Sequence, residues 1–310
     1  MLLSYDFKIE FYNVDESKES TDGTPFPQKT PKIIINTQDG IHVDISIASM
    51  FSSDLNTVKS KQAKIVLWNL PLDFTDHIKF GDIVKIHYKK FAHEKKFDFI
   101  MAGTLDHPMS TDYPGGDFSV ELDVSLLTKS NLFNRKLEDK KGKSFKDMTV
   151  QEAIKSVFPN RNIIRMDEKD KLKVIDKNFY ASTPKEFIEK IIKGKYVENV
   201  TTDVGYHKDE FECNFIFTND RTTEGNERYE ELEYYGLEFV PQQEIAIEGD
   251  FSMRRIFWNA QIFYTHKLRI GDKVSFIDGL GKIIKTTIEE TSARLSNTGD
   301  CSLILKLKGI

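Results

Sequence analysis

The sequence predicts a mainly β fold with an α+β connector, in which two similar antiparallel β-barrel domains flank a mixed segment. Three observations predict it. A Trp-Asn pair followed by a Gly-Asp pair occurs twice, apolar and polar residues alternate around both copies as in half-buried strands, and helix start signals lie between the copies. The 310 residues exceed the usual size of one hydrophobic core. We expect domains at residues 1–131, 132–232 and 233–310.

The repeat contains both tryptophans of the chain, in the pairs Trp68-Asn69 and Trp258-Asn259. A Gly-Asp pair follows thirteen residues after each tryptophan, so the tryptophans and the glycines are both separated by 190 residues (258 − 68 and 271 − 81). Because this match needs no gap, it predicts an internal duplication. We interpret eight residues as structural positions that define the repeat: Trp68, Asn69, Gly81, Asp82, Trp258, Asn259, Gly271 and Asp272.

The first copy has the pattern of successive antiparallel strands. Residues 65–68 are apolar and β-branched, as in a buried strand. Gly81 is free to take a positive φ in the turn before the alternating strand at 83–88. Further strands are predicted at 97–103 and, after a Pro-Gly-Gly hairpin loop, at 118–126.

The second copy predicts strands at 256–263, 273–277, 282–289 and 301–307. Residues 278–282 favour a hairpin turn over a phosphate-binding loop, because such a loop needs a helix directly after it and a strand follows here. The last strand matches residues 117–124 of the first copy if the stretch after the Gly-Asp pair is seven residues shorter (36 against 29).

The segment between the copies predicts helices as well as strands. Thr149 and Glu152 have the spacing of a capping box, which predicts a helix that ends before Pro159. A second helix is predicted from Pro184 to about Gly194. With strand-like runs between and after these helices, the segment is a mixed α/β connector.

No residue set is predicted to be catalytic or to bind a cofactor or metal, and we expect no enzyme. The carboxylates are too evenly spread to select an acid–base pair, and no nucleophile motif is present. The histidines lack the spacing of metal ligands and are interpreted as surface or packing residues: His42, His77, His87, His93, His107, His207 and His266. We expect both cysteines, Cys213 and Cys301, to be buried free thiols.

The bulk composition limits the partners. A net charge of −5 argues against a general nucleic-acid binder, and we predict no stable nucleic-acid binding. No apolar run approaches the roughly 20 residues needed to cross a bilayer, so no membrane span is predicted. The N-terminus lacks the basic start and apolar core of a signal peptide, and we expect folding in a cytoplasm.

The ordered series of motifs resembles the phage tail baseplate hub proteins. Their first barrel follows roughly the pattern N-L … I-x-x-G-D-x-V … F-x-G-x-I. Three stretches resemble it: Trp68-Asn69-Leu70, then Ile78-Lys79-Phe80-Gly81-Asp82-Ile83-Val84-Lys85-Ile86, then Met101-Ala102-Gly103-Thr104-Leu105. Residues 235–237 through 268–274 resemble the second barrel and its lead-in.

This resemblance implies a structural protein in a tail-hub arrangement, in the virion tail baseplate of a phage or a related contractile injection machine, assembled in the host bacterial cytoplasm. It implies a homotrimer whose duplicated barrels form a pseudo-sixfold ring between the tail tube protein and a trimeric spike protein, in contact with other baseplate proteins. The main alternative is a tail-tip carbohydrate- or receptor-binding module, which predicts clustered exposed aromatic residues. A wall-degrading tail hydrolase is a third, enzymatic alternative.

Overall fold

The computed structural model of the chain describes residues 5–17, 26–50, 62–70, 72–91, 94–106, 110–112, 118–125, 136–137, 142–159, 162–207, 210–219, 228–248 and 253–309. The N-terminal part contains one short helix, α1 (Leu72–Thr75), and a series of strands: β1 (Asp6–Tyr12), β2 (Ile33–Asn36), β3 (His42–Met50), β4 (Gln62–Trp68), β5 (Ile83–Lys89), β6 (Asp98–Leu105), β7 (Ser110–Asp112) and β8 (Ser119–Ser125).

The central part is mixed. Its elements are β9 (Lys143–Phe145), α2 (Val150–Val157), β10 (Asn162–Arg165), α3 (Glu168–Lys171), β11 (Phe179–Ala181), α4 (Pro184–Lys193), β12 (Asn199–His207) and β13 (Glu210–Thr218). The predicted capping box is confirmed, because Thr149 Oγ1 accepts from the Glu152 amide at 3.2 Å and Glu152 Oε2 accepts from the Thr149 amide at 2.8 Å. Helix α4 begins at Pro184 as predicted, behind the Thr183 cap.

The C-terminal part is again made of strands: β14 (Glu230–Glu231), β15 (Gln242–Glu248), β16 (Met253–Phe263), β17 (Lys273–Ile277), β18 (Ile283–Ser296) and β19 (Ser302–Lys308). Strand β18 continues seven residues beyond the end predicted for it, at Glu289. Strand β14 lies inside the predicted connector, residues 132–232, yet pairs with β17. The three domain boundaries therefore stay predictions.

One large sheet runs through both β-rich parts in the order β15-β16-β19-β18-β3-β4-β8-β6-β5-β1-β2. Strand β7 also pairs with β8, and β17 pairs with β18 and β14. Neighbouring strands along the main path are antiparallel. With the mixed central part between its two halves, the sheet confirms the predicted fold class.

Two clusters of buried side chains hold the chain together. The larger joins the two barrels, since Val43, Ile45 and Leu67 of the first belong to one cluster with Leu305 and Leu307 of the second. The smaller fills the connector and also includes three residues of the first barrel, Tyr12, Ile83 and Ala102. The apolar surface in these clusters is the main stabilising contribution to the fold.

Of the two cysteines, Cys301 is a buried free thiol, as predicted, and burial raises its pKa to about 12. The side chain of Cys213 lies outside the described part of the structure. Within the described ranges, every helix is too short or too polar to cross a bilayer.

Candidate functional site

The first Gly-Asp turn is closed by four hydrogen bonds. Gly81 has a φ of +86°, in the left-handed region that disfavours a Cβ. The Asp82 amide donates to Lys79 O at 3.0 Å, and Asp82 Oδ2 accepts from the Lys79 amide at 2.6 Å. Across the hairpin, the Gly81 amide donates to Leu105 O and the Leu105 amide donates to Asp82 O, both at 2.9 Å. The carboxylate also pairs with the Lys32 ammonium at 2.5 Å.

The second Gly-Asp turn repeats this pattern bond for bond. Gly271 has a φ of +83°. The Asp272 amide donates to Arg269 O at 3.1 Å, and Asp272 Oδ2 accepts from the Arg269 amide at 2.7 Å. The Gly271 amide donates to Ile288 O at 2.8 Å, and the Ile288 amide donates to Asp272 O at 3.0 Å. Two sequence stretches 190 residues apart therefore build the same turn.

The basic partner of the turn aspartate differs between the copies. Lys32 belongs to the N-terminal part itself, whereas Arg165 comes from β10 of the connector. Arg165 Nη1 donates to Asp272 Oδ1 at 2.5 Å and to Ile270 O at 3.0 Å. Burial raises the pKa of Asp272 above its usual value, and the Arg165 charge opposes that rise. The second turn thereby fastens the connector to the C-terminal barrel.

The two barrels share a five-strand order. In the first it is β3-β4-β8-β6-β5, and in the second it is β15-β16-β19-β18-β17. The residues that close the turns, Leu105 and Ile288, are 183 positions apart, as are Ser119 and Ser302, which begin β8 and β19. One constant offset therefore relates the second half of each barrel.

The two tryptophans do not occupy equivalent places. Trp68 ends β4 and pairs with Ser119, the first residue of β8. Its counterpart is Phe263, which ends β16 and pairs with Ser302, the first residue of β19. Trp258 lies five residues earlier, inside β16. The ungapped match across the tryptophans is therefore wrong as a structural alignment, because the connection between β4 and β5, which contains α1, is five residues longer than that between β16 and β17.

The surroundings of the Trp-Asn pairs differ accordingly. Trp68 Nε1 donates to Asp44 Oδ2 at 3.0 Å, whereas Trp258 packs edge-on against Phe276 with ring centroids 5.3 Å apart. Asn69 takes a φ of +55° in the turn after β4, while Asn259 is an ordinary mid-strand residue of β16. The Gly-Asp pairs, rather than the Trp-Asn pairs, relate the two barrels.

The hairpin that follows each Gly-Asp turn differs in length. From Gly81 to Leu105 the chain takes 24 steps, and from Gly271 to Ile288 it takes 17. The seven extra residues lengthen the β5–β6 hairpin relative to the β17–β18 hairpin. This is the shortening that the sequence comparison required.

A joint between the barrels forms where β18 of the second pairs with β3 of the first, from Glu290 opposite Met50 to Ser296 opposite Asp44. Asn297 extends the joint, as its Oδ1 accepts from the Val43 amide at 2.9 Å. We call this pairing the internal joint.

The β5–β6 hairpin adds a second contact between the barrels. The rings of Tyr88 and Tyr264 meet edge-on with centroids 4.9 Å apart, and the Tyr88 hydroxyl lies 3.1 Å from His266 Nδ1. The Lys90 ammonium lies 5.5 Å from the centroid of the Phe263 ring. Burial raises the pKa of Tyr88 to about 12.

The described residues offer little catalytic chemistry. No group of three or more His, Cys, Asp or Glu side chains among them could hold a metal ion. A groove of about 420 Å³ on the sheet near the internal joint is lined by polar residues that include Ser46, Lys64 and Asp123. Of the predicted histidine positions, His87 forms an ion pair with Glu10 at 3.3 Å, and His42 lies 3.1 Å from Asp44.

The comparisons with known proteins agree with this architecture. The model of a family described as "Protein of unknown function (DUF693)" matches residues 1–309. None of the curated proteins compared matches the chain. Among solved structures, the 43 kDa tail protein of prophage MuSo2 from Shewanella oneidensis has 12% identity and a TM-score of 0.58, over 98% of this chain and 97% of that one.

Two further structures share the fold. The tail protein from Neisseria meningitidis MC58 is 12% identical with a TM-score of 0.57, over 99% of this chain and 97% of its own. The Escherichia coli c3393 protein is described as a type VI secretion component similar in structure to the T4 bacteriophage tail proteins gp27 and gp5. It is 8% identical with a TM-score of 0.53, over 87% of this chain and 73% of its own. The resemblance to tail hub proteins is thus confirmed for the fold.

Proposed function

Because this chain belongs to the DUF693 family of proteins of unknown function and has the fold of phage tail proteins, we propose that it is a structural hub protein of a tail baseplate, in a phage or a related contractile injection system. Three copies form a pseudo-sixfold ring that joins the tail tube to the central spike. Its role is structural rather than enzymatic and needs no cofactor.

The repeated five-strand order carries this proposal. A chain with two similar barrels gives six similar units when it trimerises, which suits a sixfold tail tube on one side. The same ring has true threefold symmetry, which suits a trimeric spike on the other. The partners we propose are therefore the tail tube protein, the spike protein and other baseplate proteins, in a virion tail assembled in the host bacterial cytoplasm.

The binding-module alternative gains no support from the tryptophans. Trp258 packs against the shared core, and Trp68 is half-buried with its indole nitrogen bonded to Asp44. Neither forms an exposed aromatic platform for a sugar ring.

Light scattering on the purified chain at micromolar concentration tests the ring. We expect a mass three times the 35.8 kDa of one chain, and six lobes in electron micrographs. A monomer, or a ring with another number of subunits, would contradict the proposal.

A further inference from the structure

The internal joint leaves two strand edges uncovered that match the two edges it uses. Among the described strands, β15 ends the sheet and pairs only with β16, and β7 pairs only with β8. An edge strand presents a row of backbone N–H and C=O groups ready to pair with another chain. These two edges are therefore candidates for contact between chains.

Strand β15 is the counterpart of β3. Each is the outer neighbour of the strand that precedes a Gly-Asp turn, since β3 pairs with β4 and β15 pairs with β16. Ile47 of β3 lies opposite Ala63, five residues before the end of β4. Gln243 of β15 lies opposite Trp258, five residues before the end of β16. Ile47 and Gln243 are thus equivalent positions.

Strand β7 is the counterpart of the second half of β18. Thr111 of β7 lies opposite Val120 of β8, and Ala293 of β18 lies opposite Leu303 of β19. Val120 and Leu303 are related by the constant offset of 183 residues. Thr111 and Ala293 are thus equivalent positions as well.

We propose that the β15 edge of one copy of this chain pairs antiparallel with the β7 edge of a second copy, and so repeats between chains the pairing of β3 with β18 within each chain. This inference rests on the proposed ring and identifies its chain-to-chain contact. Because the contact joins different edges of the two copies, it is heterologous and closes into a ring after three chains if six barrels complete one turn.

The internal joint also fixes the register of this contact. Within the chain, Ala293 lies opposite Ile47 and Ser292 lies opposite Ala48. Replacing each residue by its counterpart places Thr111 opposite Gln243 of the neighbouring copy. One step along, Ser110 lies opposite Glu244 of the neighbouring copy.

A second observation points to the same contact. Within the chain, the β5–β6 hairpin packs on the residues at and after the end of β16. The same relation between chains brings the β17–β18 hairpin to the residues after β4 of the next copy. That hairpin exposes apolar side chains, with Ile277 51%, Leu280 94% and Ile283 64% exposed. Apolar residues grouped on the surface mark protein contacts.

Disulfide trapping tests the register. We would prepare Thr111→Cys with Gln243→Cys, and Ser110→Cys with Glu244→Cys, because adjacent cross-strand pairs alternate between two geometries and the non-hydrogen-bonded one brings the side chains closer. As the matched control, Ile34→Cys with Gln243→Cys joins β15 to β2, an edge with no part in the internal joint. We expect covalent dimers and trimers on non-reducing gels from at least one registered pair and none from the control.

The outcomes separate the joint from the ring. A wild-type trimer whose registered pairs both fail to cross-link, or cross-link no better than the control, overturns the joint and leaves the ring intact. A wild-type monomer overturns both. If a cysteine variant does not fold, hydrogen exchange of the wild-type trimer decides, since the joint requires slowed exchange for amides of residues 242–248.

Substitution of the exposed hairpin residue tests the second contact. Leu280→Asp places a charge at the interface and is expected to weaken trimerisation on the order of tenfold or more in dissociation constant. Leu172→Asp, 58% exposed on the connector, is the matched control and is expected to leave it unchanged. Equal trimerisation of the two variants would contradict the hairpin contact.

Discussion

At the scale of single residues, the Gly-Asp pair shows why a short motif can specify a turn twice. Each glycine supplies a positive φ, and each aspartate binds the amide three residues before it. These contacts are local, so the sequence predicted the turn. Lys32 and Arg165, which complete the sites of Asp82 and Asp272, lie far away along the chain and left no signal there.

The carboxylate of Glu10 makes folding sensitive to acid. Burial alone would raise its pKa, but hydrogen bonds from His87, Lys8 and Tyr12 hold it at about 2, below its usual 4.5. A lowered pKa in the folded state gives a stabilisation that is present above pH 4.5 and is lost as the pH falls towards 2. Glu10→Gln should therefore lower the free energy of unfolding at pH 7, by about 2 kcal/mol.

Urea unfolding of wild type and Glu10→Gln between pH 7 and pH 2 measures this difference. The gap between them should narrow as the pH falls through that window. Glu16→Gln, at an exposed position, is the control and should have little effect at any pH. A gap that stays constant with pH would contradict the role of the Glu10 charge.

At the scale of elements, the sequence predicted those whose signals are local. The capping box of α2 and the Thr-Pro start of α4 involve residues within four positions of each other. Strand β3 was missed, although its buried residues Val43, Ile45 and Ile47 alternate with period two. The tryptophan match failed because identical residues at equal spacing do not fix strand register, which backbone pairing decides.

The hairpins depend on the positive φ of their glycines. Gly271→Ala adds a Cβ at a φ of +83° and should lower the free energy of unfolding by about 1–2 kcal/mol. Gly299→Ala is the matched control, because its Cβ would meet Ser296 atoms only at 3.4 and 3.5 Å. Thermal and urea unfolding of both variants measure the effect, and equal stability of the two would count against a strained turn.

At the scale of the whole molecule, the two barrels form one structural body. They share a hydrophobic cluster and a continuous sheet through the internal joint. The sequence predicted two barrels and a connector, but composition and spacing contain no information on which strand edges meet. That pairing depends on contacts between residues about 250 positions apart, such as Val43 with Asn297.

Unfolding should therefore be cooperative across both barrels. Trp68→Phe and Trp258→Phe each leave one tryptophan as a fluorescent probe of a single barrel. Since both barrels contribute to one core, the urea midpoint of the remaining tryptophan should coincide in each variant with that of the sheet measured by circular dichroism. Two separate transitions, one for each barrel, would show that the barrels unfold independently.

The unequal hairpins give the proposed ring an angular index. Long β5–β6 and short β17–β18 hairpins alternate around its axis, so a turn by one barrel changes the outline and only a turn by two restores it. A threefold partner seated on the hairpins then has three equivalent settings instead of six, like a key in a three-slotted plate. A sixfold partner has to rest on surfaces where the barrels are alike, so hairpin length alone can separate the two docking faces.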